Sequence, residues 1–337
     1  MEYAFVTGAT GLLGNNVVHA LLQRKIKVKA LVRSLEKGRK QFGDLPVELV
    51  EGDMLDVDAF SHALQGCDAL FHTAAYFRDS YKGGKHWQKL YDTNVTGTER
   101  LLQVAYAAGI RRAVHTSSIA VLKGNRDQVI DETMSRSEQE ADDYYLSKIL
   151  SEQKVQAFLV QHPDMFIAMV LPGWMFGPGD IGPTSSGQFL LDFVGQKLPG
   201  VLPGSFSVVD ARDVAEHQIA AITRGRSGER YLAAGNHMDM KSIFQALASV
   251  SGIKAPERKV PLLMLRIIAL VYEGYYRLTK KPVLISTSTV KLMEQEQGRT
   301  HFSHQKSSRE LDCKFRPVSE TLTDTLNWYR NNNYLDA

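Results

Sequence analysis

Eight residues near the start of the chain, Thr7-Gly-Ala-Thr-Gly-Leu-Leu-Gly14, limit its possible folds more than any other stretch. Gly8, Gly11 and Gly14 stand three apart, after an apolar run at Tyr3–Val6 and at the head of Leu12–Arg24, where Leu13, Val17, Val18, Leu21 and Leu22 recur at helical spacing. In a strand–turn–helix setting, bare backbone lets a diphosphate approach closely, and the helix N-terminus adds unpaired N–H groups and a positive dipole end. The third glycine permits close packing of helix on strand. The alternative is a turn that serves folding alone, but the setting favours a dinucleotide site built around Gly8, Thr10, Gly11, Leu12, Leu13 and Gly14.

The rest of the first half supports that reading. Strand-like runs at Lys27–Val32, Val47–Val50, Ala69–Thr73, Ala113–Thr116 and Phe166–Val170 alternate with helical patterns near Asp56–Gln65, Trp87–Ala108 and Asp142–Gln161. Near-continuous apolar strands separated by helices predict a parallel sheet covered on both faces. The expected fold is α/β: a Rossmann-type doubly wound parallel sheet over residues 1–171, with a smaller, mostly helical C-terminal substrate lobe over 172–337. Part of that lobe, about 206–235, is expected to return to the core. After Leu171, Pro and Gly cluster, and helical patterns follow at Ala211–Thr223, Met240–Ser251 and Ser319–Arg330.

Composition narrows the function classes. In 337 residues, 44% are hydrophobic and 23% charged, ordinary for a globular protein, and a net charge of +3 gives no ground for nucleic-acid binding. Cys67 and Cys313 are far apart without metal-ligand spacing, so no metal is expected and both read as reduced thiols. Nothing at the N-terminus resembles a secretion leader, which suggests a cytoplasmic location. The apolar segment 261–278 is broken by Arg266 and Glu273 and falls short of the roughly 20 residues a membrane span needs. Stable insertion is not expected; a substrate lid and a membrane-surface contact both stay open.

The second strand ends at Arg33-Ser34, where a dinucleotide fold meets the adenosine ribose. An acidic residue there would bind a free 2′-hydroxyl. This chain instead has Arg33 and Ser34, with Lys37 and Arg39 beyond and no acid before Glu36. A guanidinium suits a phosphate, so NADP(H) is expected over NAD(H).

Asp142-Asp-Tyr-Tyr-Leu-Ser-Lys148 sets Tyr144 and Lys148 at i and i+4, on one helix face. A phenol with a pKa near 10 is a poor proton donor at neutral pH, and a neighbouring ammonium lowers that value. Tyr145 has Ile149 at the same spacing. The spacing alone recurs on many exposed helices. It gains meaning from Ala113-Val-His-Thr-Ser-Ser118, whose end would lie at the carboxyl edge of the sheet, and from His72-Thr-Ala-Ala75, whose small residues leave room for a cofactor.

TGATGLLG, HTAA, the paired serines and YYLSK, in this order, resemble an extended short-chain dehydrogenase/reductase, of the branch that includes dihydroflavonol 4-reductases and 3β-hydroxysteroid dehydrogenases. Further along, GDMLD, DTNVTGT, LPGWMFGPGD, DARDVAEH and SSRELDCKFRP are similar to motifs of that family, so the likeness covers nearly the whole chain. The resemblance implies a catalytic set of Ser118, Tyr144, Lys148 and Asn94. Tyr144 would be the general acid or base, Lys148 would hold the nicotinamide ribose, and Ser118 would bind the substrate oxygen. Asn94 would support the cofactor loops, with a part in a water relay. It also implies cofactor contacts from Asp53 and Met54 near adenine, and from Thr73, Ala74, Ala75, Ser117, Pro172, Gly173 and Met175 along the rest. Relatives include dimers through the Trp87–Ala108 and Asp142–Gln161 helices and also monomers. Leu171, Leu122 and Cys313 depart from the family pattern, the first two against a nucleotide-sugar substrate.

Aromatic residues gather where substrate would bind: Tyr76, Phe77, Trp174, Phe176, Phe189, Phe206, Tyr272, Tyr275 and Tyr276, on segments near Tyr76–Trp87, Trp174–Phe189, Leu202–Ser207 and Leu262–Tyr276. Each reads equally well as core; as a group they suggest an apolar or aromatic carbonyl or alcohol. A nucleotide-sugar epimerase or dehydratase would use the same catalytic residues plus a basic clamp, for which only Arg212 and Arg266 stand out. A non-catalytic NADP(H)-sensing protein would have little need of the Tyr144–Lys148 pair.

Overall fold

A computed structural model describes residues 1–77, 86–279 and 286–335. Its strands are β1 (Tyr3–Thr7), β2 (Lys27–Val32), β3 (Val47–Glu51), β4 (Ala69–His72), β5 (Arg112–Thr116), β6 (Phe166–Pro172), β7 (Trp174–Phe176), β8 (Ser205–Asp210), β9 (Arg230–Ala233) and β10 (Asn236–Asp239). Seven of them form one sheet in the order β3-β2-β1-β4-β5-β6-β9, every neighbouring pair parallel. The order reverses direction between β1 and β4, the switch point at which doubly wound sheets open a ligand crevice.

Helices cover both faces, which is why the central strands β1, β4 and β6 are apolar along nearly all of their buried lengths. On one face Leu12–Gln23 and Ala211–Arg224 bury Val17, Val18, Leu21, Val214 and Ile222. On the other, Gly97–Ala107 and Asp143–Gln161 bury Leu101, Leu102, Val155 and Phe158. A second sheet, β10-β8-β7, carries a third core that includes Phe176, Phe244, Leu326 and Tyr329. The chain passes from β6 to β7 through Gly173, where a Cβ would lie 2.5 Å from the carbonyl oxygens of both Ala234 and Ser207.

Two expected helices differ in form. Trp87–Ala108 begins as a helix at Trp87–Leu90, widens to a π-helical turn at Tyr91–Thr96 and resumes at Gly97–Ala107. Asp56–Gln65 is a single α-turn, Val57–Phe60, continued as a 3-10 turn over Ser61–Leu64. The apolar 261–278 stretch is a helix, Leu262–Thr279, and no helix among the described residues is long and apolar enough to cross a membrane. Residues 78–85 of the Tyr76–Trp87 segment, and the Tyr276 side chain, lie outside the described residues.

Candidate active site

The glycine loop closes tightly against the end of β4. At Gly8, φ is +66°, and a Cβ would come within 2.7 Å of Ala74 backbone. At Gly14 a Cβ would overlap the Gly8 carbonyl, so the helix Leu12–Gln23 could not start so close to β1. Leu13 turns inward to the core. Thr7 ties the two strand ends together: its carbonyl accepts from Thr73 Oγ1 at 2.6 Å, and its hydroxyl accepts from Ala74 N at 3.2 Å.

A crevice of about 850 Å³ runs along this edge. It is lined by Gly8, Thr10, Gly11 and Leu12 from the loop, Arg33 after β2, Asp53 and Met54 after β3, and Thr73, Ala74 and Ala75 after β4. Lys37 and Lys40 add two cations at the Arg33 end, whereas Arg39 is not part of the wall. The helix Leu35–Phe42 explains the choice, because positions 37 and 40 are three apart and share a face. Ser34 is spent as its N-cap, accepting from Lys37 N at 3.4 Å. Lys40 was not picked out from sequence, though it was legible as the next position on the Lys37 face; the Asp180–Ser185 part of the wall falls within the Trp174–Phe189 segment expected near substrate.

Tyr144, Lys148, Ser117 and Ser118 gather just past the end of β5. The Tyr144 ring is buried beside Ala120 and Leu90, and Phe77, on the crevice wall, meets it edge-on at 4.6 Å between centroids. One turn along, Lys148 is 4% exposed and donates from Nζ to the Thr116 carbonyl at 3.0 Å. Among the described residues, no carboxylate lies within ion-pair distance of it. Burial pulls its pKa down to about 8, and Glu152 opposes the shift from a distance. Glu152 itself is engaged by Arg230 at 2.6 Å.

The two serines differ. Ser118 is half-buried and N-caps the turn Ile119–Val121, accepting from Ala120 N at 3.1 Å. The Ser117 hydroxyl is buried with no hydrogen-bond partner among the described residues. Tyr145, adjacent to Tyr144, lies under the Arg136 guanidinium at 4.7 Å. Of the two tyrosines, one is stacked by a buried cation of the scaffold and the other packs on Phe77 of the crevice wall.

Asn94, in the π-helical turn, is 2% exposed and its amide is fully used. Its Oδ1 accepts from Tyr76 N at 2.7 Å, and its Nδ2 donates to Tyr76 O at 2.9 Å and Ser147 Oγ at 3.0 Å. With both amide hydrogens taken, it offers no donor to a water relay. It positions the segment after Ala75 relative to the helix that carries Tyr144 and Lys148.

Behind these groups two histidines are held neutral. Thr98 Oγ1 donates to the Asn94 carbonyl, so it accepts from His72 Nε2, leaving His72 Nδ1 to accept from the Thr7 hydroxyl at 2.8 Å. Burial, aided by the Lys148 charge, lowers the His72 pKa to about 3. Burial likewise holds His115 well below its ordinary value. Neither competes with Lys148 for positive charge.

Pro172, Gly173 and Met175 continue the same edge past β6 but do not line the crevice wall. Trp174, Phe176, Phe189 and Phe206 pack on one another, with ring centroids 4.7–5.1 Å from Trp174, as part of the third core. Tyr272 packs on that core too, whereas Tyr76 and Phe77 open on the crevice. Arg212 is paired with Asp210 and Asp324, and Arg266 with Glu294, so neither stands free as a phosphate clamp.

Residues 4–234 match the model of the NAD dependent epimerase/dehydratase family. The chain belongs to that family. It is 32% identical to a putative dihydroflavonol 4-reductase of Synechocystis, covering 98% of this chain and 95% of that one. It is 34% identical to sterol demethylase protein B of Methylococcus capsulatus, covering 96% and 97%. The crystal structure of gox2253 superposes with a TM-score of 0.84 at 31% identity over the full length of both chains. The family member is thus an enzyme of the extended, dihydroflavonol-reductase-like branch of short-chain dehydrogenase/reductases, an oxidoreductase that uses a nicotinamide cofactor.

Proposed function

We infer that this enzyme is an NADP(H)-dependent oxidoreductase acting on a ketone or aldehyde, or the corresponding secondary alcohol, of an apolar or aromatic small molecule. The observation that carries the reading is Lys148, a buried cation with no carboxylate within ion-pair distance among the described residues, one helical turn from Tyr144 at the end of β5.

The residues present fit a dinucleotide. A Cβ at Gly8 would fill the cradle, and Ser117 keeps a buried hydroxyl without a partner among the described residues. Gly8 to Gly14 would hold the diphosphate. Arg33, with Lys37 and Lys40, would hold a 2′-phosphate, Ser34 flanking it as their helix cap. Asp53 and Met54 would flank adenine. Thr73 to Ala75, Ser117, Lys148, and Pro172 with Gly173 and Met175 would take the nicotinamide half. When bound, the reduced cofactor supplies the hydride.

The chain's own residues handle the proton. Ser118 orients the substrate oxygen, and Tyr144 protonates it from its hydroxyl, or accepts the proton in the oxidation direction. The Lys148 charge favours the phenolate left behind. Asn94 keeps the Tyr144 helix and the Tyr76 segment in register. Tyr76 and Phe77 present an apolar mouth, in keeping with the flavonoid and sterol in the relatives' names. An epimerase or dehydratase acting on a nucleotide sugar shares the proton-handling groups, and the engaged Arg212 and Arg266 argue against it. NADPH consumption across a panel of aromatic and polycyclic carbonyls, with Tyr144→Phe alongside, tests the reading. Turnover by that variant equal to the parent removes the mechanism.

A further inference from the structure

The helix Leu262–Thr279 is apolar on two sides, yet only one is covered. Leu265 and Ala269 are fully buried against the third core. On the other side Leu263, Ile267, Leu270, Val271 and Leu278 are 56% to 87% exposed. Their spacing places them in one stripe along the helix. Gly274 falls in that stripe, with open space where its Cβ would be. A helix apolar all round is normally enclosed on every side, and a contiguous exposed apolar stripe marks a contact surface.

Charge selects the partner. Residues 254–281 hold seven basic and two acidic residues, a surplus of +5 that the pairing of Arg266 with Glu294 reduces to +4, while the whole chain carries only +3. Arg258 and Lys259, immediately ahead of the helix, are exposed. A second copy docked through the same face would bring this surplus against itself, whereas an anionic lipid surface attracts it. The helix is about 27 Å long by its residue count. Because no described helix is apolar enough to span, it would lie in the plane of the interface.

We propose that Leu262–Thr279 docks this enzyme on membranes rich in anionic lipid, the apolar stripe entering the headgroup–acyl boundary and the flanking cations meeting the headgroups. The inference does not rest on the reaction assigned above; either can fail alone.

Co-sedimentation of the full chain with vesicles of phosphatidylcholine alone, and of phosphatidylcholine mixed with phosphatidylglycerol, tests it. Binding should be roughly tenfold stronger to the anionic vesicles and fall at high salt. Ile267→Gln/Leu270→Gln/Val271→Gln should lower it by roughly tenfold or more with circular dichroism unchanged. Leu278→Gln, at a side chain that touches no core, should lower it by a smaller factor. Arg258→Gln/Lys259→Gln should weaken binding to the anionic vesicles only. Failure to sediment with either vesicle, or equal sedimentation of parent and triple variant, overturns the proposal. So does a parent that is dimeric by light scattering, becomes monomeric in the triple variant and binds no vesicles.

Discussion

Two buried cations flank the turn after β5, and they are handled in opposite ways. On the far side Arg136 is 6% exposed and saturated: both ends of its fork meet the Glu296 carboxylate at 2.9 Å. Its Nε donates to Ala120 O at 2.7 Å, and its face covers Tyr145. Lys148, one turn from Tyr144, is as deeply buried but has one carbonyl and, among the described residues, no carboxylate within ion-pair distance. A fully paired buried charge is a scaffold element. A charge left underpaired costs stability, and the fold retains it one helical turn from the tyrosine that packs on Phe77 of the crevice wall. The same few residues therefore separate a structural Tyr–cation pair from a chemical one.

The strongest way to break this contrast is at the tyrosines. Tyr144→Phe should lower kcat/KM for carbonyl reduction by roughly 10²–10⁴, the usual span for general acid–base catalysis, while Tyr145→Phe stays within a few-fold. Comparable losses in both would erase the distinction.

Stability should separate the cations next. Arg136→Met strands the Glu296 carboxylate and should cost on the order of 3–5 kcal/mol in chemical denaturation. Lys148→Met should do the reverse at neutral pH. The folded-state pKa of Lys148 is about 8, below its ordinary 10.5, so the native state bears the cost of a buried charge below pH 8. Between those values the unfolded chain binds more protons, so the parent gains stability as pH rises and the advantage of Lys148→Met disappears. A Lys148→Met protein less stable than the parent at pH 7 would show that the lysine is structural after all.

At the other end of the crevice, Arg33→Ala should reduce the preference for NADPH over NADH by roughly tenfold, with little change for NADH, since it removes one charge-assisted contact. Equal affinities for both cofactors in the parent would remove that assignment. The smallest effect on turnover is expected at Arg212→Gln, which breaks the pairs with half-exposed Asp324 and buried Asp210, leaves Asp210 its helix-cap hydrogen bond, and should leave turnover unchanged.

Much of this was legible in the sequence because it rests on short-range rules. The glycine spacing at 8, 11 and 14, the six strand runs before Leu171 and the i, i+4 relation of Tyr144 and Lys148 depend only on local periodicity. The small sheet was not legible: β7 has three residues, and β8 becomes a strand by pairing with β7 and β10, both far from it in sequence. Nor was the break in Trp87–Ala108. Asn94 is drawn to Tyr76 and Ser147, and Gly97 packs where a Cβ would meet Met54 O at 2.7 Å, both long-range effects. Sequence could not say whether Trp174, Phe176, Phe189 and Phe206 were pocket or core. That depends on which neighbours cover them, and they cover one another.

The most direct test of the central claim is the pH dependence of kcat/KM for NADPH-driven reduction of whichever panel carbonyl is turned over. If the Lys148 charge supports proton transfer by Tyr144, activity in the parent should fall as pH rises through about 8, and Lys148→Met should be slow throughout without that falling limb. Superimposable profiles of equal height for the two proteins would contradict the account.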